Sequence, residues 1–434
     1  MLHDVSHEAM KSVTGEISLP RKDVDVLRRL AGDLASIAAL PVHREKARLW
    51  TALNDLKSER PLVWINEICW NEMDVDGELT LQTEHPWARD QERGLRQTIY
   101  QWRHLPADMI VNDYLACPLA IEDSGWGIHE DVEVVKTDDS NEVVSRHFHK
   151  QICELEDLDK IAMPVVTHNV TETEARFQLM NSVYAGIMPV KKAGQSHVWF
   201  TPWDFLIRWW GIEEAMTDMY DRPELVHAAV ERMVDAWMVE MDQFEAQGLL
   251  ALDNNNTRVG SGGYGYVSSL PGTDYLPDHV KPHNMWGCSN AQIFSEVSPE
   301  MHWEFAIKHD LRWLKRWGLT YYGCCEPLDG KAEILKRIPN LRKVSVSPWC
   351  KSERAVSDLG GKYVLSRKPS PAILAEDNWH PDRARADLVK FMEATGGACH
   401  VELIMKDIST VRYKPQRLWE WSRIAMEVAE AYAK

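Results

Sequence analysis

Gly318-Leu-Thr-Tyr-Tyr-Gly-Cys-Cys-Glu-Pro327 is a short apolar run that ends in two thiols and a carboxylate. A helical pattern over 329–338 follows, and then a second apolar run, Lys343-Val-Ser-Val346. Apolar runs of this length, bounded by Gly or Pro, read as buried strands. Strand, helix and strand in so few residues read as one parallel βαβ unit.

The same unit recurs on both sides. Toward the C-terminus come Lys362-Tyr-Val-Leu365, a helical stretch 382–394, Cys399-His-Val-Glu-Leu-Ile-Met405 and a last helix 415–432. Toward the N-terminus, Leu249-Leu-Ala-Leu-Asp-Asn254 is preceded by a long amphipathic segment, Arg222-Pro-Glu-Leu-Val-His227 to Gly248. Pro in its first turn and Gly at its end are the asymmetry a helix shows. Earlier strands fall at Pro61–Glu67, Met109–Asp113 and His197–Thr201, with helical patterns over 87–104, 172–191 and 298–317 between strands and hairpin pieces at 131–136 and 142–148. About eight such units without a linker predict an α/β chain folded as a (β/α)8 TIM-type barrel. The barrel spans 59–434. Residues 1–58 form an N-terminal helical extension, with a helix over 22–57 broken at Leu40-Pro41. Residues 257–287, rich in Gly, Ser, Pro and Tyr, read as a lid-like insertion over the barrel mouth.

Composition narrows the function classes. Hydrophobic residues make up 44% of 434 positions, enough for a large core. The formal charge of -17 disfavours a nucleic-acid binder, which needs a basic face. No apolar run reaches the length of a membrane helix, and Met1-Leu-His-Asp-Val5 lacks a signal-peptide pattern, so a cytoplasmic location is expected. The eight cysteines are scattered, as reduced thiols in such a compartment would be. The 19 tryptophans are more than a core needs; packing and helix docking are their ordinary use, and a pocket for a flat or methylated ligand is the alternative.

Barrel chemistry sits on the loops after the strands. That rule selects Glu67 as a general acid or metal ligand, and Asp253 and Asn255 as residues that orient a substrate polar group or simply make a turn. Trp64, Asn112 and Trp199 are selected as pocket residues, and Arg367 beside Lys368 as an anion site. Cys324, Cys325 and Glu326 are the sharpest local signal, because two thiols and a carboxylate at a strand tip can share a metal. Adjacent strand residues point to opposite sides, so one of the two cysteines faces the mouth. Cys288, beyond the glycine-rich stretch, is a further candidate ligand. Small residues packing a tight turn are the ordinary alternative.

Three stretches resemble the uroporphyrinogen decarboxylase superfamily: Arg222–His227 with its helix, Gly248 and strand; Trp286-Gly-Cys-Ser-Asn290 with Phe294 and Ser298-Pro-Glu-Met-His-Trp-Glu-Phe305; and Gly318–Pro327 leading to Val344-Ser-Val-Ser347. With Arg60-Pro61, the resemblance covers most of 60–430 and implies the same barrel. The decarboxylases hold porphyrin carboxylates with arginines after the first strand. Here Trp64 to Trp87 contains no Arg or Lys and offers Asn66, Glu67, Asn71, Glu72 and Asp74. An octa-acid would meet an acidic wall.

The other branch, corrinoid-linked zinc methyltransferases, carries His-x-Cys at the corresponding tip and a second Cys near the last strand. Cys324 matches the first Cys, Tyr322 stands in place of the His, and Cys399 lies near the last strand. The resemblance implies a zinc cofactor acting as Lewis acid and a small methylated thiol, amine or ether as substrate. No Asp-x-His-x-x-Gly motif occurs, so cobalamin would come on a separate corrinoid protein. A homodimer is compatible with this reading. The alternative is a decarboxylase or lyase for a small non-porphyrin acid.

Overall fold

The computed structural model describes residues 18–135 and 145–434. Helices α1 Arg21–Ala38 and α2 Val42–Asn54 open it, and they separate at Pro41, where the sequence places the break. Proline supplies no amide to continue a helix. Strand β1 Leu62–Ile65 and helix α3 Pro86–His104 follow, then β2 Leu115–Pro118, β3 Ile121–Asp123, β4 Val132–Val135, β5 Ser145–Phe148, β6 Val166–His168 and β7 Val190–Ala193. After the long helix Pro223–Ala246 come β8 Trp286–Ser289, β9 Leu319–Tyr322, β10 Leu341–Val346, β11 Val364–Arg367 and β12 His400–Met405. Part of the expected hairpin at 131–148 falls on 136–144, outside the described residues. Its flanks, β4 and β5, pair antiparallel.

Six strands form one parallel sheet in the order β1-β12-β11-β10-β9-β8. β2 and β7 form a separate parallel pair. The expected strands at 197–201 and 249–254 carry no ladder beyond a parallel bridge, Gln195 to Leu250. Strand pairing among the described residues therefore draws a six-stranded sheet and not a complete eight-membered ring. Other contacts flank its two edges. Asp108 N donates to Val63 O at 2.8 Å beside β1, and Cys288 Sγ donates to Val198 O at 3.3 Å beside β8.

Alternation along each strand sorts the side chains. Val63, Ile65, Tyr322, Val344, Val346, Leu365, Val401, Leu403 and Met405 pack outward, in one core with residues such as Trp313, Leu418 and Trp421 from the covering helices. Each large apolar side chain buried there contributes about 1.5–3 kcal/mol. Trp64, Tyr321, Ser345, Ser366 and Glu402 face the other way, inward. Trp64 lies 4.7 Å from the Tyr264 ring, and the inward faces of Tyr321, Ser366 and Glu402 close on Gly262.

What they surround is the glycine-rich stretch itself. Instead of a lid over the mouth, residues 258–266 run down through the interior, from the C-terminal ends of the strands to the N-terminal ends. At the upper end Ser261 Oγ lies 2.9 Å from Tyr321 Oη. Lower down, Gly263 N donates to Glu402 Oε1 at 3.1 Å, while Lys343 Nζ donates to Tyr264 O and Glu402 Oε2, both at 3.0 Å. At the bottom, Asn54 Nδ2 donates to Tyr264 O at 2.9 Å and Tyr266 O at 2.7 Å. A Cβ on Gly262 would fall within 3.0 Å of the Tyr321 ring and the Glu402 carboxylate, and one on Gly263 within 3.0 Å of the Trp50 ring. The glycines are there so that backbone can pass where a side chain cannot.

Candidate functional site

At the C-terminal ends of β1, β9 and β12 the inward side of the sheet ends in a polar cluster above the interior segment. Glu67 follows β1 with a left-handed backbone, φ 50°, and Asp407 follows β12 with φ 55°. Non-glycine residues rarely adopt this conformation. The two turns hold each other: Asp407 N donates to Glu67 Oε2 at 3.2 Å and Ile408 N to Glu67 O at 3.2 Å. Arg258, at the top of the interior segment, places Nη1 2.6 Å from Glu67 Oε1, and Lys406 Nζ stands 3.3 Å from Glu67 Oε2. Burial would raise the Glu67 pKa, but Arg258 and Lys406 outweigh it and hold the carboxyl down to about 2. Glu67 is thus ionised at neutral pH, accepts a hydrogen bond from Arg258 and is ion-paired with Lys406. The role of general acid does not fit it.

Lys406 also faces sulfur. Its Nζ lies 3.9 Å from Cys324 Sγ, and Cys324 Sγ lies 3.7 Å from Cys325 Sγ. Cys324 is buried and Cys325 partly exposed. The hydrogen bond between the thiols raises the pKa of Cys324 and lowers that of Cys325, while Lys406 favours the thiolate in both. Cys325 is the member that ionises first. Desolvation lowers the pKa of Lys406, but Cys324, Glu67 and Asp407 together lift it above the ordinary lysine value, so the ammonium keeps its proton. Asn66 adds two buried amide atoms, Oδ1 and Nδ2, that have no hydrogen-bond partner.

Beneath the thiols lies Lys368, buried, donating to Ser345 Oγ and Ser366 Oγ at 3.0 Å each and to Tyr321 Oη. Burial pushes its pKa down to about 7. Its neighbour Arg367 points the other way, since successive strand residues alternate. Arg367 Nη1 donates to Ser347 O at 2.9 Å and its guanidinium lies 5.3 Å from the Phe391 ring of the helix Pro381–Thr395. It does not line the mouth, so the expected anion site of two adjacent cations is not formed.

The other expected residues divide. Glu326 is fully buried, and its carboxylate accepts from Cys324 N at 2.8 Å and Ala291 N at 3.1 Å, tying down the turn that carries the thiols. Cys288 faces inward on β8 and gives its thiol to Val198 O; burial pushes its pKa up to about 12. Cys399 precedes β12 at the N-terminal end of the sheet, packed on Gly360, a full strand from Cys324. It cannot share an ion with the pair. Asp253 accepts from Trp286 N at 2.9 Å, and burial raises its pKa well above the usual range. Asn255 makes the turn: its Oδ1 accepts from Thr257 N at 2.7 Å and Thr257 Oγ1 at 2.6 Å. Trp199 sits 5.8 Å from the Arg258 guanidinium and so borders the cluster, whereas Trp64 packs on Tyr264 inside. Asn112, half-buried after Val111, shares no described contact with the thiol group. Tyr322, two residues before Cys324, turns outward and places Oη 2.7 Å from His302 Nε2.

Zinc can be tested against these donors. Two sulfurs about 2.3 Å from a tetrahedral ion stand roughly 3.8 Å apart, close to the separation of Cys324 and Cys325. A catalytic zinc needs about three protein donors. Among the described residues, no group of three or more His, Cys, Asp or Glu is placed to hold a metal. The residues present do not make a complete zinc site.

In fold, the chain resembles a methyltransferase from Methanosarcina mazei. The likeness covers 90% of this chain and 99% of that one, with a TM-score of 0.50 and 10% sequence identity. No protein-family model matches the chain, and no curated protein matches it. Among the described residues no helix is long and apolar enough to cross a membrane.

Sequence reasoning missed Arg258. It lies in the stretch read as a lid, and only the descent of that stretch into the interior brings it to Glu67. The single cation before Gly260-Ser-Gly-Gly-Tyr-Gly265 was the available signal.

Proposed function

We propose that this chain is a methyl-transfer enzyme on a (β/α)8-type barrel of the uroporphyrinogen decarboxylase superfamily, moving a methyl group between a small methylated thiol, amine or ether and a separate corrinoid protein. The observation that carries the reading is the contact between Cys324, Cys325 and Lys406 at the strand ends, where chemistry sits in barrels. The fold likeness to a methyltransferase supports it. Segments 108–118 and 190–201, beside the edges of the six-stranded sheet, supply the remaining staves.

In such a transfer the methyl leaves its heteroatom, and the bonding electrons stay behind. Lys406, an ammonium at neutral pH, stabilises the charge that develops on that heteroatom. The Cys324 thiol is a proton donor at the same place. The Asn66 amide and the Trp199 face orient the rest of a small substrate. The corrinoid, bound to its own protein, supplies the nucleophile or the methyl. Among the described residues the two thiols stand without a third His, Cys, Asp or Glu donor for zinc. The lyase alternative loses the outward-facing Arg367.

Methylation of free cob(I)alamin, followed by its absorbance with a panel of methylated thiols, amines and ethers, tests the reading. Wild type should methylate the corrinoid with at least one donor, and Cys324→Ser or Lys406→Met should lower kcat/KM by about tenfold or more. Equal rates in the variants, or no transfer from any donor, would overturn it. Metal content of the same preparation decides the zinc expectation: about one ion per chain, lost in the double Cys→Ser variant, is what a thiol-held site requires.

A further inference from the structure

We infer that Cys324 and Cys325 form a reversible oxidation site, a vicinal dithiol that closes to a disulfide by exchange with small-molecule disulfides. Its consequence for catalysis rests on the methyl-transfer reading; its existence does not.

The geometry is that of an attacking and a resolving thiol. Their sulfur atoms are in van der Waals contact at 3.7 Å. Cys325 is partly exposed and reachable by a small disulfide, whereas Cys324 is buried behind it. Lys406, 3.9 Å from Cys324 Sγ, stabilises the thiolate on which each exchange step depends. The other six cysteines do not share this arrangement. Cys288 hands its thiol to a carbonyl inside the sheet, Cys399 is packed against Gly360, and Cys153 is exposed with no sulfur contact among the described residues.

The exchange balances in two steps. Cys325 thiolate attacks one sulfur of the small disulfide, so a mixed disulfide forms and one small thiolate leaves. Cys324, as thiolate, then attacks Cys325 Sγ and the second small thiolate leaves. Two electrons pass from the pair to the oxidant, and the two cysteine protons end on the released thiols. Adjacent Cα atoms stand about 3.8 Å apart, below the span of about 4.4–6.8 Å that ordinary disulfides adopt. The product ring is therefore strained and easily reduced, the property of a labile bond rather than of a structural one. Closure withdraws both thiols from Lys406, which in the proposed enzyme removes the site.

The experiment uses the full chain, fully reduced and then equilibrated in glutathione buffers of graded oxidised fraction, acid-quenched, alkylated and read by peptide mass. The expected result is a peptide carrying both residues that lacks two hydrogens, resists alkylation and is restored by dithiothreitol. In Cys324→Ser, Cys325 should instead accumulate bound glutathione. In Cys325→Ser, the buried Cys324 should stay reduced, with circular dichroism confirming that both variants fold. A wild-type pair that remains reduced across the series, or that only accumulates glutathione, overturns the proposal. Because the readout is mass, its failure would leave the methyl-transfer assay unaffected, and the converse also holds.

Discussion

Arg258 and Glu67 join the segment that fills the sheet's interior to the first strand of the sheet, Nη1 to Oε1 at 2.6 Å. They are 191 residues apart in sequence. The ion pair therefore ties the position of the interior segment to the polar cluster at the strand ends, with Lys406 as the second cation on the same carboxylate.

Removing that anion leaves two cations facing each other in a partly buried site. Glu67→Gln should lower stability by about 1–3 kcal/mol, less than a fully buried pair would lose because Arg258 is partly exposed. The pH dependence has a definite sign. The folded pKa lies at about 2, below the ordinary carboxylate value, so the contribution is complete above that ordinary value and is lost as pH falls toward 2. Urea midpoints of wild type and variant should converge on acidification. A constant difference would refute the assignment.

The glycines of the interior segment should behave oppositely to an ordinary helical glycine. Gly262→Ala and Gly263→Ala place a Cβ within 3.0 Å of the Glu402 carboxylate and the Trp50 ring respectively, and should each cost about 1–3 kcal/mol through overpacking. Gly94, within α3, has open space around its Cβ position. Gly94→Ala should raise stability by about 0.5–1 kcal/mol. Thermal melts of the three variants check the contrast in sign.

Lys368 provides a second titration. Burial lowers its folded pKa to about 7, so between there and the unfolded lysine value the unfolded chain holds more protons and stability rises with pH. Lys368→Met removes this slope. The wild-type advantage over the variant should therefore be smaller at about pH 6 than at about pH 9. A pH-independent difference would mean that Lys368 stays charged in the fold.

Asp310 has the opposite slope. Burial raises its carboxyl to about 7, with Ser289 Oγ as its partner at 2.6 Å. A raised acid stabilises the fold at low pH and loses that contribution between the ordinary carboxylate value and 7. Denaturant midpoints across this range should fall less steeply in Asp310→Asn than in wild type.

Periodicity made much of the fold legible. The helix Pro223–Ala246, the strands β9 to β12 and the break between α1 and α2 stand within a few residues of where apolar spacing, Pro and Gly put them. Other features depend on neighbours distant in sequence. A stretch rich in Gly satisfies the requirements of an exposed loop and of a backbone squeezed against Tyr321 and Glu402 equally well, so composition favoured the commoner outcome. Strand parity, extended one residue past the end of β11, puts Arg367 and Lys368 on opposite faces. Cys399 was displaced from the site because a residue before a strand and one after it occupy opposite ends of a parallel sheet. The thiol pair was visible because adjacency in sequence guarantees proximity, whereas Lys406 and Arg258 needed the third dimension.

The interior segment also dictates an order of events during synthesis. Tyr264 is held by Asn54, made long before it, and Gly263 by Glu402, made 139 residues later. At about 5–20 residues per second, the segment waits on the order of ten seconds for its last anchor. During that interval the amide of Gly263 is without the carboxylate that receives it in the finished fold, so the interior segment is complete only after β12 has been made.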